Sequence, residues 1–212
     1  MKFHTLSIVS LAALMLVACG PSEAEIAAEK EKAVADSLAA VAAAEHAYTV
    51  NAEASAATWT GTMVGVYSHT GTVKISEGEL TVKGGMVTGG AFAVDMTTIA
   101  PIDTNYSEDK TKEMLIGHLS SADFFDVANH STASFKITSV EGTSATGELT
   151  VRGVTNTETV TDIVITEGDG TVMATGKLAF DRQKYGVAWK AMKDMVLSDT
   201  IELTVELNGT AK

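Results

Sequence analysis

Near the C-terminal end, Ile201, Leu203, Val205 and Leu207 alternate with Glu202, Thr204, Glu206 and Asn208. Successive side chains of a strand face opposite ways, so this stretch predicts a strand dry on one face and wet on the other. The same period recurs upstream. Val172, Ala174, Leu178 and Phe180 alternate with Thr171, Thr175, Lys177 and Asp181; Phe135 and Ile137 with Lys136 and Thr138; Phe92, Val94 and Met96 with Asp95 and Thr97. Strands of this kind belong to antiparallel sheets. Glu77-Gly78, Gly84-Gly85, Gly89-Gly90 and Gly168-Asp169-Gly170 read as the turns between them. GELTVKGG (78–85) and GELTVRGV (147–154) share their first five residues. They predict two equivalent hairpin strands, with Leu80 and Val82, and Leu149 and Val151, facing inward. About eight such strands fit either a sandwich or a closed barrel, and we take the barrel.

Two stretches depart from period two. SEDKTKEMLIGHL (107–119) predicts a helix capped at Ser107 and Glu108 and anchored by Met114 and Leu115, inserted near the rim. AWKAMKDMVLSD (188–199) reads as irregular. Between them LSSADFFDV (119–127) places Phe124 beside Phe125 in a chain with only 6 Phe. A strand cannot bury both in one core, whereas a tight turn lets neighbours diverge by about 100° and both reach apolar material. Asp123 is the expected cap of that turn. One Phe is expected to plug the barrel against the insertion and the other to border its mouth.

The N-terminal quarter is different. Residues 22–47 are rich in Ala, Glu and Lys and contain no Gly or Pro. This predicts a semi-rigid, partly helical spacer. Its thin stripe of Ile26, Val34, Leu38 and Val41 lacks the sustained heptad of a coiled coil. Before it, Lys2 and an apolar run ending in Leu16-Val17-Ala18-Cys19 read as a secretory signal too short for a comfortable membrane span. Cys19 is the single cysteine. Its setting resembles a bacterial lipobox, in which the thiol is acylated; Gly20 in place of Asp then favours the outer membrane. The expected organisation is a lipoprotein signal peptide (1–18), a lipid-anchored spacer (19–47) and an all-β domain (48–212).

Charge narrows the partners. The chain carries 15 basic and 27 acidic residues, and loss of Lys2 with the signal leaves 14 against 27, a net of −13. Nucleic acid and anionic lipid head groups are poor partners for such a surface.

GTMVGVYSHTGTVKISEGELTVKGG, LIGHLSSADFFDVANHSTASFKITSV, GELTVRGVT and FDRQKYGVAW resemble the YceI-like family of polyisoprenoid-binding envelope proteins. The likeness runs from about Trp59 to Leu207. It implies an eight-stranded antiparallel lipocalin-like barrel around an apolar channel, and it implies function: non-enzymatic binding, sequestration or transport of an isoprenoid or similar long-chain lipid in the cell envelope. No cofactor is implied beyond a bound isoprenoid or quinone-like lipid. The expected channel residues are Phe92, Val94 and Met96; the pair Phe124 and Phe125; Phe135 and Ile137; Leu149 and Val151; Leu178 and Phe180; Tyr185 and Trp189; and Leu203 and Val205. Arg182 beside that last aromatic pair is a candidate for a ligand head group, or for an internal salt bridge. The alternative is a packed barrel serving as an envelope interaction or stress-protective module. The two differ in whether the interior is hollow.

Catalytic signatures are missing. There is no HExxH, no GxSxG and no Cys within the domain. A redox or metal accessory role requires His118 or His130 to point at a shared site.

Overall fold

The computed structural model of the protein describes residues 22–190 and 195–212. The signal, Cys19 and its acylation therefore lie outside the described residues. Helix α1 (Glu23–Ala43) opens with Ser22, whose backbone N–H and hydroxyl donate to Glu25 at 2.7 and 2.9 Å. Lys32 and Asp36 pair one turn apart at 2.7 Å. Ile26 and Val34 of the apolar stripe are more than half exposed. The described residues 22–41 and residues 42–212 belong to two different units. No described helix is long and apolar enough to cross a membrane.

The second unit is sheet. Its strands are β1 (Glu45–Val50), β2 (Ala56–Met63), β3 (Tyr67–Lys83), β4 (Met86–Pro101), β5 (Thr132–Glu141), β6 (Ser144–Val151), β7 (Val154–Gly168), β8 (Thr171–Asp181) and β9 (Leu197–Ala211). All pair antiparallel, each from β3 to β8 with its successor, and β2 joins β3 to β9 and closes an eight-stranded barrel. β1 is a further strand. It fills the gap between β3 and β9 beyond the end of β2. A 3₁₀ turn (Ala52–Ala54) separates β1 from β2, and the Asn51 side chain accepts the Glu53 N–H there at 3.0 Å. The barrel thus has one wall strand broken in the middle, which closure needs no other edge to cover.

Two expected turns are strand interior instead. Glu77-Gly78 and Gly89-Gly90 lie within β3 and β4, where Gly78 opposes Phe92 and Gly90 opposes Leu80. Both mark register shifts rather than chain reversals. A side chain at Gly78 would meet Phe92 Cβ at 2.8 Å, and Gly90 has φ +151°. The bulges switch which parity faces inward: Val73 and Ile75 are buried before the first shift, Leu80 and Val82 after it. Gly84-Gly85 and Asp169-Gly170 are true turns. The repeated GELTV segments end β3 and β6 with their Leu and Val buried.

The inserted helix, α2 (Lys112–Ser120), begins later than its sequence suggested. Ser107 and Lys110 close a tight turn on each other, which uses up the residues expected as cap. Thr111 takes the cap role, its hydroxyl accepting from the Met114 N–H at 3.3 Å. Met114 is 61% exposed, so it is no anchor; Leu119 is the buried residue of this helix.

Candidate functional site

A cavity of about 220 Å³ occupies the barrel toward the end where the β2–β3 turn, α2 and the segment after β8 converge. Its wall is built by strand alternation. β4 contributes Phe92, Val94 and Met96, β5 Phe135, β6 Leu149 and Val151, β8 Leu178 and Phe180, and β9 Leu203 and Val205. Phe124, Phe125 and Trp189 complete it from outside the sheet. None of the described lining residues is Lys, Arg, Asp or Glu.

Ile137 is not in this wall. It lines a separate, smaller cavity of about 50 Å³. Phe92, Phe135, Val160 and Val205 border both spaces and form the partition between them. Phe92 and Phe135 are register partners on β4 and β5, with ring centroids 5.9 Å apart.

Tyr185 is a correction. It is fully buried, edge-on to Phe180 at 5.2 Å, and its hydroxyl donates to Glu158 at 3.1 Å. Its hydroxyl is committed to β7, and the ring does not line the cavity. Burial and the neighbouring carboxylate push the phenol above its usual pKa. Arg182 is internal as well. Its side chain is 2% exposed and donates to the carbonyls of Ser198, Val187 and Trp189 and to the Asp199 carboxylate, at 2.6 to 3.1 Å. It fastens the segment carrying Trp189 and offers nothing to a head group.

The Phe pair sits in a turn closed by the Ser121 carbonyl, which accepts from Phe124 N–H at 3.0 Å and Asp126 N–H at 2.8 Å. Asp123 is exposed and is not its cap. Asp126 takes a positive φ of 50° and gathers Asn129 and His130 around it. Both rings reach the cavity, edge to face at 4.8 Å; Phe124 is buried and Phe125 half-buried. Arg152 donates to the carbonyls of Ala122 and Gly186 and so ties this turn to the segment after β8.

Sequence reasoning passed over several wall residues. Ala57, Trp59, Gly61 and Met63 line the cavity from β2, at a period of two that small and polar neighbours concealed. Ile99 faces inward because the chain shifts register between Met96 and Ile99, with the Thr98 hydroxyl bonded to Asp95 O at 2.6 Å. His69 and His118 also line it. His69 pairs with Asp103 at 3.1 Å and stacks on Tyr106 at 5.3 Å. Burial pushes the Asp103 carboxyl up, but N–H donors from Asn105 and Thr70, with His69 and Tyr106, outweigh it and hold the pKa at about 2. His118 is edge-on to Phe124 at 5.4 Å and to Trp189 at 4.7 Å. His130 lies apart, 3.8 Å from Asp126 and against Gly153, and does not share a site with His118. Among the described residues no group of three or more His, Cys, Asp or Glu could hold a metal ion.

Residues 48–209 match the YceI-like domain. A UPF0312 protein of Ectopseudomonas mendocina (strain ymp) is 36% identical over 104 residues, covering 46% of this chain and 50% of that protein. The match thus spans about half the length of that relative. BcnA of Burkholderia cenocepacia superposes with TM-score 0.61 at 19% identity, over 76% of this chain and 99% of that one. A polyisoprenoid binding domain from Saccharophagus degradans, implicated in plant cell wall breakdown, superposes with TM-score 0.53 at 14% identity, over 79% of this chain and 99% of that one. At such identities the two structures share the fold.

Proposed function

The chain belongs to the YceI-like domain family, and from that membership we propose that its barrel binds one long apolar chain, an isoprenoid or a similar lipid, without catalysis. The observation that carries this reading is the hollow interior: about 220 Å³ with no ionisable Lys, Arg, Asp or Glu in its described wall. A packed interaction module would need that space filled. The polyisoprenoid binding domain of Saccharophagus degradans supports the same ligand class through a related fold.

The energetics are favourable. Each buried CH₂-sized group contributes roughly 0.8 kcal/mol, so a five-carbon isoprene unit contributes about 3–4 kcal/mol before ordering costs. Two or three enclosed units reach micromolar affinity with no charged contact. The cavity is smaller than the roughly 300–1,000 Å³ of common ligand sites. It therefore takes a few isoprene units, and a longer chain must leave through the open end or displace the partition at Phe92 and Phe135. Met63 and Met96 in the wall suit a ligand of variable shape.

In this proposal acylated Cys19 tethers the domain to the envelope, with the outer membrane the favoured site, and the barrel sequesters or carries lipid beside it. Native mass spectrometry of the protein purified from its own envelope, followed by organic extraction, tests the reading. It predicts one apolar lipid per chain. Ligand-free protein from independent preparations, with no uptake of added prenyl lipid, contradicts it.

A further inference from the structure

We propose that His118 is the polar anchor of the cavity, and that its Nε2 holds a neutral oxygen head, a hydroxyl or a carbonyl, on the apolar ligand. The proposal rests on the reading of the barrel as an apolar-chain site.

The wall has few polar atoms, and their accounts differ. Trp59 Nε1 donates to the Thr72 carbonyl at 3.4 Å. His69 is bonded to Asp103. His118 Nε2 is buried and has no hydrogen-bond partner among the described residues. A buried polar atom left unpaired is costly, and native structures rarely keep one without a reason. Here the atom belongs to a residue that lines the cavity.

The ring is also well placed to wait for a partner. It stands in the last turn of α2, where Ser121 N–H and Oγ both donate to the His118 carbonyl at 3.1 and 2.8 Å. Phe124 and Trp189 meet the imidazole edge-on and fix its plane. Nothing in this arrangement satisfies Nε2, yet everything holds it in position.

The same surroundings select the head. Burial pushes the imidazole below its ordinary pKa, and the Asp123 carboxylate opposes this only in part. The ring is therefore neutral at pH 7. A neutral imidazole accepts from a hydroxyl as one tautomer and donates to a carbonyl or hydroxyl as the other. It supplies no charge to a phosphate. The described wall holds no Lys or Arg to do so, and Arg182 is committed elsewhere. A buried anion without a counter-charge is strongly disfavoured. A small neutral oxygen satisfies Nε2, and an isoprenoid carrying one is held both by its chain and by its end.

The test uses the full chain, stripped of lipid, with three C20 prenyl probes: the alcohol, the matched hydrocarbon and the diphosphate. Affinities are measured for the wild type, His118→Phe and His118→Gln. The wild type is expected to bind the alcohol about tenfold more tightly than the hydrocarbon, which is about 1.4 kcal/mol. His118→Phe is expected to abolish that preference by weakening the alcohol alone, and His118→Gln to restore part of it. Equal affinity of alcohol and hydrocarbon for the wild type, or equal weakening of both by His118→Phe, overturns the anchor. Diphosphate binding at least as tight as the alcohol overturns the neutral head. Failure of all three probes overturns the apolar-chain reading itself. Should the variants misfold, the ¹⁵N shift of wild-type His118 Nε2 decides: it moves with the alcohol and stays with the hydrocarbon, and the reverse pattern contradicts the proposal.

Discussion

Trp59 lies across Gly71. The indole Cζ2 is 2.2 Å from where a Cβ on Gly71 would stand, and the Ala100 carbonyl is 2.7 Å from the same point. Position 71 must lack a side chain for the indole to lie flat in the cavity wall. Neither a ring pinned between strands nor a backbone carbonyl yields cheaply.

Gly71→Ala is therefore expected to cost about 1–3 kcal/mol through overpacking and to push Trp59 into the cavity. In a Trp189→Phe background, emission from the remaining indole reports the displacement, and chemical denaturation reports the cost. Unchanged emission and stability would show that the indole is not seated on Gly71.

The partition between the two cavities sets a length limit. Phe135→Ala is expected to cost about 3–5 kcal/mol, as large-to-small core changes do. It should also join the 220 and 50 Å³ spaces. Affinity for long prenyl chains then rises relative to short ones. A chain-length series whose affinity ratios match the wild type would mean that Phe92 and Phe135 are not the stop.

Arg182 and Asp199 form an unequal pair. The Arg side chain is 2% exposed and the Asp side chain 52%. Arg182→Met strands three carbonyls and is expected to cost about 3–5 kcal/mol, since each buried group left without its partner costs about 1–3 kcal/mol. Arg182→Lys rescues little, because an ammonium lacks the planar fork. Asp199→Asn should cost less than about 1 kcal/mol, as a largely exposed charge does. Urea unfolding of the three variants measures the asymmetry; equal costs would contradict it.

Acid unfolding carries a signature of Asp103. Its folded-state pKa of about 2 lies below the usual 3.8. A depressed carboxyl contributes stability above its unfolded value and loses it as pH falls through the folded value. The thermal midpoint of the wild type should exceed that of Asp103→Asn at neutral pH, and the gap should close from about pH 4 to about pH 2. A gap independent of pH would place the effect in packing rather than in ionisation.

Much of this was written in alternating residues. Where one parity holds from end to end, as along β8 and β9, the inward residues Leu178, Phe180, Leu203 and Val205 could be read directly. Where a bulge switches parity, as before Leu80 or Ile99, the pattern misleads, because the shift depends on hydrogen bonds to another strand. Trp59 was missed because its strand is mostly Ala, Thr and Gly, residues that announce no strand strongly. Tyr185 was misjudged for a related reason, while Arg182 took the internal salt bridge that had been one of its two readings. Their partners Glu158 and Asp199 lie 27 and 17 residues away, and nothing local marks the pairing. The orphan nitrogen of His118 became visible only once Phe124 and Trp189 closed around it.

The central claim is that the barrel is hollow for a ligand, and Gly61 allows it to be plugged. A Cβ there meets only Ile201 Cδ1, at 3.9 Å, and the residue lines the cavity. Calorimetric titration of a prenyl alcohol into wild-type protein and Gly61→Leu, at several temperatures, is the decisive measurement. Saturable binding with a negative heat-capacity change in the wild type, lost at least tenfold in a folded Gly61→Leu, is the predicted result. No saturable binding in the wild type, or equal affinity in the plugged barrel, contradicts it.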